Sequence, residues 1–410
     1  MLILGLRTFS NVSNYPYLLL GNLILSVLTR FFPENLLINL GSVAIYHNDL
    51  TIFFLLLTMF AHRGAFTIKR RNVNLIIGLS LVSILFSLFN GFLEFGFNNS
   101  VVYDVRKFVY HIILVLFATT CDVEIDICSV MKWIKRIAYT LVIYIYVGTI
   151  LHYAFGMQFG AYTDERPLPS HYAISLVVYI IYEVYEQLYK QKQPSISVAT
   201  VIAIVAVVIN RFNTTWIALF AGIILLIIML PEKKRLLNSK FFLQTFVAII
   251  LLTIMFVFVA DSSFMEAVFE TGDKFNNMSA EDSTFGTRLE LWALMLGTLN
   301  KVTIWTGLPM GSGYGVNYRG SIWQFNPHNG YIETIMRVGV IGCALLVILY
   351  LYAISASLKR KHYVGVAIIV AMMIYFVAYT YEFELSFILG YIIAESFRSG
   401  SEDYENEYAY

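Results

Sequence analysis

The sequence predicts an all-α integral membrane protein of about twelve transmembrane helices. Three observations lead there. Of 410 residues, 58% are hydrophobic and only 13% charged, whereas a soluble domain carries roughly 25% charge. Mean hydropathy is +0.70, and apolar runs of roughly 17–25 residues recur from one end to the other. Clusters of Lys and Arg alternate between successive connections, as the two sides of a membrane require. Length therefore counts spans, and 1–410 reads as a single polytopic domain. A formal net charge of +1 offers nothing to a nucleic acid.

The spans follow in order at roughly 15–32, 42–61, 74–93, 104–120, 133–155, 170–188, 195–210, 214–230, 241–260, 328–356, 363–380 and 384–397. The second is interrupted by Tyr46-His47-Asn48-Asp49. The first apolar run follows Arg7 without a small-residue cleavage site, so it reads as a retained helix. With a cytoplasmic N-terminus, the basic clusters at 63–71, 132–136, 190–192, 233–240 and 359–361 all fall on the cytoplasmic side. Both termini are then cytoplasmic. Cys121 and Cys128 flank an acidic stretch and Cys343 sits in an apolar run. A lone Cys-x6-Cys in a cytoplasmic loop reads as reduced thiols.

The connection 261–327 faces outward, between spans nine and ten, and is far longer than the others. Within it Leu289, Trp292, Leu296 and Leu299 recur at helical spacing. They predict an amphipathic helix lying in the interface plane or capping the bundle.

Candidate chemistry gathers at this outer boundary. Asn326 suits an N-cap and Pro327 the first helical position, which places His328 in the first turn of span ten. The helix dipole there disfavours protonated imidazole, and a neutral imidazole is a competent general base. Unpaired first-turn N–H groups would suit a phosphate. At about 100° per residue, Ile332, Ile335, Gly339, Gly342 and Leu346 share the face below His328, where small residues allow close helix packing. Glu333 and Arg337 fall on the opposite face with the spacing of a simple ion pair, which discounts Arg337 as a catalytic group. The plain alternative is an interfacial histidine without a role.

Arg211 sits in a very short outward turn, where Lys and Arg are normally scarce. Its planar fork suits an anionic ligand, and a snorkelling anchor is the alternative. Arg288 opens the amphipathic segment, and Arg319 follows the Gly-rich Gly307–Gly315, which reads as turn chemistry. No His/Cys cluster suggests a metal. One histidine and two or three arginines offer a base together with cationic stabilisation of a phosphate-like leaving group.

His328, Asn329, Gly339 and Gly342 fit the pattern His-(Asn/Ser/Gln)-x9-Gly-x-x-Gly, which resembles the O-antigen ligase and O-antigen polymerase superfamily. The Arg288–Trp292 region and the Gly-rich turn before the histidine are similar to that family as well. The resemblance implies a C-type glycosyltransferase-like membrane fold with its long loop in the periplasm. It implies a polyprenyl-diphosphate-linked oligosaccharide donor, a glycan acceptor and an active site on the outer face of the bacterial inner membrane. His328 would be the base, and Arg211 and Arg288 would hold the diphosphate. Arg319 and Asn329 would be further substrate-binding residues. No metal or cofactor is implied, and membrane lipids and a chain-length regulator would be partners. Arg211 is followed by Phe-Asn-Thr-Thr, where ligases often carry Arg-x3-Leu. That departure favours a polymerase of surface polysaccharide over a ligase acting on lipid A core. A polysaccharide transporter or flippase is the alternative from another class; such proteins usually place ionisable groups near the midplane.

Overall fold

The computed structural model describes residues 1–31, 38–40, 43–66, 71–122, 127–157, 167–190, 196–229, 284–318, 320–324 and 326–395. The chain is mostly helical. Among the described residues three helices are long and apolar enough to cross a membrane: α4 (Arg71–Phe95), residues Lys132–Tyr153 of α6 (Ile127–Phe155), and α12 (Gly330–Lys359). Shorter apolar helices are α3 (His47–Ala61), α8 (Val198–Ile209), α9 (Asn213–Ile228) and α13 (Tyr363–Tyr375). Helices stand over the other anticipated segments too, except 241–260, which lies outside the described residues. Leu75, Leu79, Val82, Phe86, Phe89 and Leu93 form one exposed stripe along α4. In water that stripe would be a liability; against acyl chains it is the expected lipid face.

The chain divides into two compact units. The first comprises Met1–Val130, Lys274–Ala353 and Phe376–Ala394. Here α1 (Leu2–Ser10) lies on α3, with Gly5 so close to the Phe54 ring that a Cβ would sit 2.1 Å from it. Tyr15 and Leu18 of α2 (Tyr15–Phe31), Leu55 of α3, Leu114 and Phe117 of α5 (Asn99–Thr120), and Phe383 of α14 (Phe383–Glu395) share one core cluster.

The interrupted second segment has a physical explanation. Strands β1 (Ile38–Leu40) and β2 (Val43–Ile45) pair antiparallel, and only then does α3 begin. Asp49 reaches back to accept from the Tyr46 backbone N–H at 2.7 Å, one half of a capping box. Arg106 and Tyr110 of α5 both donate to Asp49, and Arg106 also donates to the Ala44 carbonyl. The polar tetrapeptide is thus a docked helix start.

On the other face of α5 stand Asp104, Lys107 and His111, at the i, i+3, i+7 spacing of one helical face. Residues 284–318 and 320–324 fold within this same unit. Its helix α10 (Thr284–Gly297) buries Leu291, Trp292 and Met295 against Val316 and Tyr318 of β3 (Gly315–Tyr318) and against Met336 of α12. β3 pairs antiparallel with β4 (Ser321–Gln324). The anticipated helix exists, but its buried face differs: Leu289 and Leu296 are exposed while Trp292 is buried. The helix is phased to its own hairpin.

The second unit comprises Met131–Asp273, Ile354–Tyr375 and Glu395–Tyr410. α7 (Ser170–Tyr185) is apolar on nearly every side and is buried accordingly, packing on α8, α9 and α13. Gly222 lets α9 approach the Ala367 carbonyl of α13, at 3.5 Å from a Cβ position. Ser197 caps α8 by accepting from the Thr200 N–H at 3.2 Å.

Candidate functional site

The segment around His328 is held from three sides. Trp292 of α10 donates its indole N–H to the Pro327 carbonyl at 2.6 Å. The His328 N–H donates to the Asn326 side chain at 3.2 Å. Just beyond, the Asn329 side chain accepts from the N–H groups of Tyr331 and Ile332, each at 3.0 Å, and its carbonyl accepts from Glu333 at 2.9 Å. Asn329 is therefore the N-cap of α12, and Asn326 is not. The reason is backbone geometry: His328 has φ 44, in the left-handed region, so it cannot be a first-turn residue. The Gly330 N–H is taken as well, by the Phe376 carbonyl at 2.8 Å. The first-turn donors expected to receive a phosphate are thus bonded within the protein.

His328 remains exposed at the surface of this turn. Partial burial lowers its proton affinity most, and the Arg288 guanidinium lowers it further. Glu333 opposes these effects and Lys107 adds weakly to them. The net shift is downward from 6.5, toward the neutral imidazole. Its leading causes are burial and Arg288, where the sequence pointed to the helix dipole.

Beneath the turn lies a buried polar network. Glu333 is 1% exposed and Arg337 0%, and they do not pair with each other as their spacing suggests. Lys107 Nζ meets Glu333 Oε1 at 2.7 Å, and Arg337 Nη2 meets Asp104 Oδ2 at 2.8 Å. α5 supplies both partners from its polar face, so Glu333 and Arg337 are each neutralised across helices. Tyr314 links the two pairs: its hydroxyl donates to Glu333 Oε1 at 3.1 Å and accepts from Arg337 Nε at 3.1 Å. Burial, then the Glu333 charge, raise the Tyr314 pKa well above its ordinary value, so the hydroxyl keeps its proton.

The Gly-rich stretch is turn chemistry, as expected, and it is also a cradle. Gly307, Gly311 and Gly313 take positive φ. The turn presents the Gly313 carbonyl and Ser312 Oγ to Arg337, at 3.0 and 2.6 Å, and the Gly311 N–H to Asp104 at 2.8 Å.

Gly339 does different work from that anticipated. It has φ 72 and ψ 179 and breaks α12 internally. A Cβ there would lie 2.0 Å from the Trp305 carbonyl of α11 (Thr303–Thr306). The Leu308 N–H donates to the Met336 carbonyl at 2.7 Å beside the break. The first glycine of Gly-x-x-Gly thus seats the loop's short helix, and a Cβ at Gly342 meets only Val338 of its own helix. Gly339→Ala is expected to lower stability by about 2–3 kcal/mol through strain and clash. An unchanged thermal midpoint in detergent would contradict that role.

Arg288 lies on α10, partly buried, and its charge acts on His328. Arg319 lies outside the described residues. Arg211 belongs to the second unit: it is 8% exposed, has φ 56, and its guanidinium lies 5.8 Å from the Tyr153 ring centroid. Asn210 beside it bonds the Leu168 N–H and carbonyl at 2.8 and 2.9 Å, fixing that turn. Asp104, Lys107 and Tyr314 were absent from the sequence candidates. The signal for the first two was available: ionisable residues on one face of a predicted span are functional suspects by default.

Residues 198–347, which include Arg211, Arg288, His328 and both motif glycines, match the family model described as O-antigen ligase. A search of curated proteins finds no match to the chain.

Proposed function

We propose that the chain is a surface-polysaccharide polymerase of the O-antigen ligase/polymerase superfamily, a reading supported by the match of residues 198–347 to the family model described as O-antigen ligase. The apolar helices and the family match support reading it as a multi-pass membrane protein with ligase- or polymerase-type glycosyltransferase chemistry. The observation that carries the glycosyl-transfer reading is His328 itself. It is an imidazole whose pKa is lowered by burial and by the Arg288 charge, on an anchored turn with left-handed backbone, within the family-matched segment. In the proposed reaction His328 takes the proton from an acceptor sugar hydroxyl. That oxygen attacks the anomeric carbon, and the carbon–oxygen bond to polyprenyl diphosphate breaks. The leaving diphosphate departs with the electron pair, next to Arg288, whose fork suits phosphate oxygens. Direct displacement inverts the anomeric centre.

We place the reaction on the outer face of the inner membrane, with lipid-linked repeats as both donor and acceptor and a chain-length regulator as partner. Arg211 stays a proposed anion-binding residue on its own setting, a buried guanidinium in a strained turn. Its sequence context favours polymerase over ligase, whereas the description of the matching family favours the ligase reading. Purified protein supplied with the lipid-linked donor alone decides between them. Growth of lipid-linked chains with release of polyprenyl diphosphate is expected. Product formed only when an acceptor lipid is added would overturn the polymerase reading.

A further inference from the structure

Residues 302–318 lie in the long connection before α12, yet they carry no Asp, Glu, Lys or Arg; Lys301 precedes them and Arg319 follows. The stretch begins with α11, whose exposed side chains are apolar. Val302 at its N-cap is 67% exposed, Trp305 54% and Ile304 40%. Its backbone is closed to outside partners. Asn300 accepts from the N–H groups of Val302, Thr303 and Ile304, and those of Trp305, Thr306 and Gly307 close the turn of α11. Leu308 donates to the Met336 carbonyl at 2.7 Å, Met310 to the Ser87 carbonyl at 3.4 Å and Gly311 to Asp104 at 2.8 Å. From Val302 to Gly311, where Pro309 has no N–H, every donor is thus satisfied by the protein. A loop in water can leave such groups to the solvent; in hydrocarbon they must be bonded internally.

Two membrane-length helices measure the depth of this segment. On α4, Ser87 donates its hydroxyl to the Leu308 carbonyl at 3.1 Å, and a Cβ at Gly91 would lie 2.4 Å from the Met310 carbonyl. Ser87 stands eight positions before the end of α4 at Phe95, about 12 Å along the helix. On α12 the Trp305 carbonyl lies against Gly339, nine positions past Gly330, which is about 13 Å along that helix. Half of a hydrocarbon core is about 15 Å. Both helices therefore put the segment inside the core. The lipid stripe of α4 includes Phe86 and Phe89, on the same turns as Ser87, and α12 exposes Ile341 just past the break. α11 touches both helices, and Val302, Ile304 and Trp305 continue their apolar surface. We infer that residues 302–311 form a re-entrant segment that dips beside α4 and α12 into the outer leaflet and presents Val302, Ile304 and Trp305 to acyl chains. Exposed Lys301 reaches the head-group phosphates from its edge. The turn that holds Arg337 through Ser312 and Gly313 is thereby anchored in the bilayer. The inference is independent of the reaction assigned to His328.

Nitroxide labels on Val302→Cys and Ile304→Cys test this, one at a time, in the full chain with Cys121, Cys128 and Cys343 replaced by alanine. The protein is reconstituted in vesicles of phosphatidylethanolamine and phosphatidylglycerol. Both side chains are exposed, so the labels displace little packing. Oxygen concentrates in the acyl region and a nickel chelate stays in water. Collision with oxygen is expected to exceed collision with the chelate at both positions, as at a reference label on Val82 in the stripe of α4. Collision chiefly with the chelate would place α11 in water and overturn the inference. Low collision with both reagents would mean that protein covers the patch, another part of this chain or a second copy, and would overturn it equally. If the cysteine-free chain does not accumulate, tryptophan emission in vesicles of lipids brominated along the acyl chain gives the same decision. The quenched share is expected to fall in Trp305→Phe, and an unchanged share would count against the inserted segment.

Discussion

His328→Ala is expected to reduce glycan extension by about 10²–10⁴-fold, the range for loss of a general base, while the protein still accumulates in the membrane. The side chain is exposed, so little packing is lost. The backbone is the complication. At φ 44 an alanine retains the left-handed strain, on the order of 1–2 kcal/mol. His328→Gly relieves that strain and should be inactive too, which separates chemistry from folding. Chain-length ladders on the lipid carrier, normalised to protein amount, provide the measurement. Undiminished ladders from either variant would sink the assignment. A pH dependence follows with a definite sign. The active form is neutral, and the pKa lies below 6.5. The acid limb of the activity profile should therefore have its midpoint below 6.5. An acid limb with its midpoint above 6.5 would be inconsistent with this base.

The helical segments were legible because apolar runs of span length report their solvent, whatever the tertiary arrangement. The local readings near His328 were less so, for reasons that can be named. Asn326 and Asn329 are both capping residues, and Pro327 argues for the earlier one. The choice falls to Asn329 because His328 turns left-handed and Phe376, distant in sequence, bonds the Gly330 N–H. The spacing of Glu333 and Arg337 describes an isolated helix. A buried helix meets partners from elsewhere, and Asp104 and Lys107 lie more than 200 positions earlier in the chain. Both motif glycines were visible, but a pattern does not state which neighbour comes close. At Gly339 it is the Trp305 carbonyl of the short helix α11. The buried face of α10 runs through Leu291, Trp292 and Met295 because its apolar partners are Val316, Tyr318 and Met336, which helical spacing alone does not name.

Arg337→Met is expected to destabilise the protein by about 3–5 kcal/mol, the cost of leaving a buried charge without its partner. Arg337 is fully buried, and its guanidinium meets Asp104, Tyr314, Ser312 and the carbonyls of Pro309 and Gly313. Methionine fills similar volume but leaves Asp104 with the Gly311 N–H as its remaining close bond. Arg337→Lys should rescue little, because one ammonium cannot reach the positions of a planar fork with five donors. The informative partner is Asp104→Asn, which removes the orphaned charge yet can still accept from Gly311. In a double-mutant cycle the pair should show coupling of about 1–3 kcal/mol, the double variant being more stable than the sum predicts. Thermal or denaturant unfolding in detergent measures both quantities, and an Arg337→Met variant within ~1 kcal/mol of wild type would refute the clamp. The clamp also bears on catalysis. Arg337 ties α5, the Gly-rich turn and the first turns of α12 into one body, and His328 stands immediately before those turns. Loss of the guanidinium should therefore slow turnover even below the melting temperature, without shifting the acid limb of the profile. Arg337 acts on His328 through position, whereas Arg288 and Glu333 act on it through charge as well.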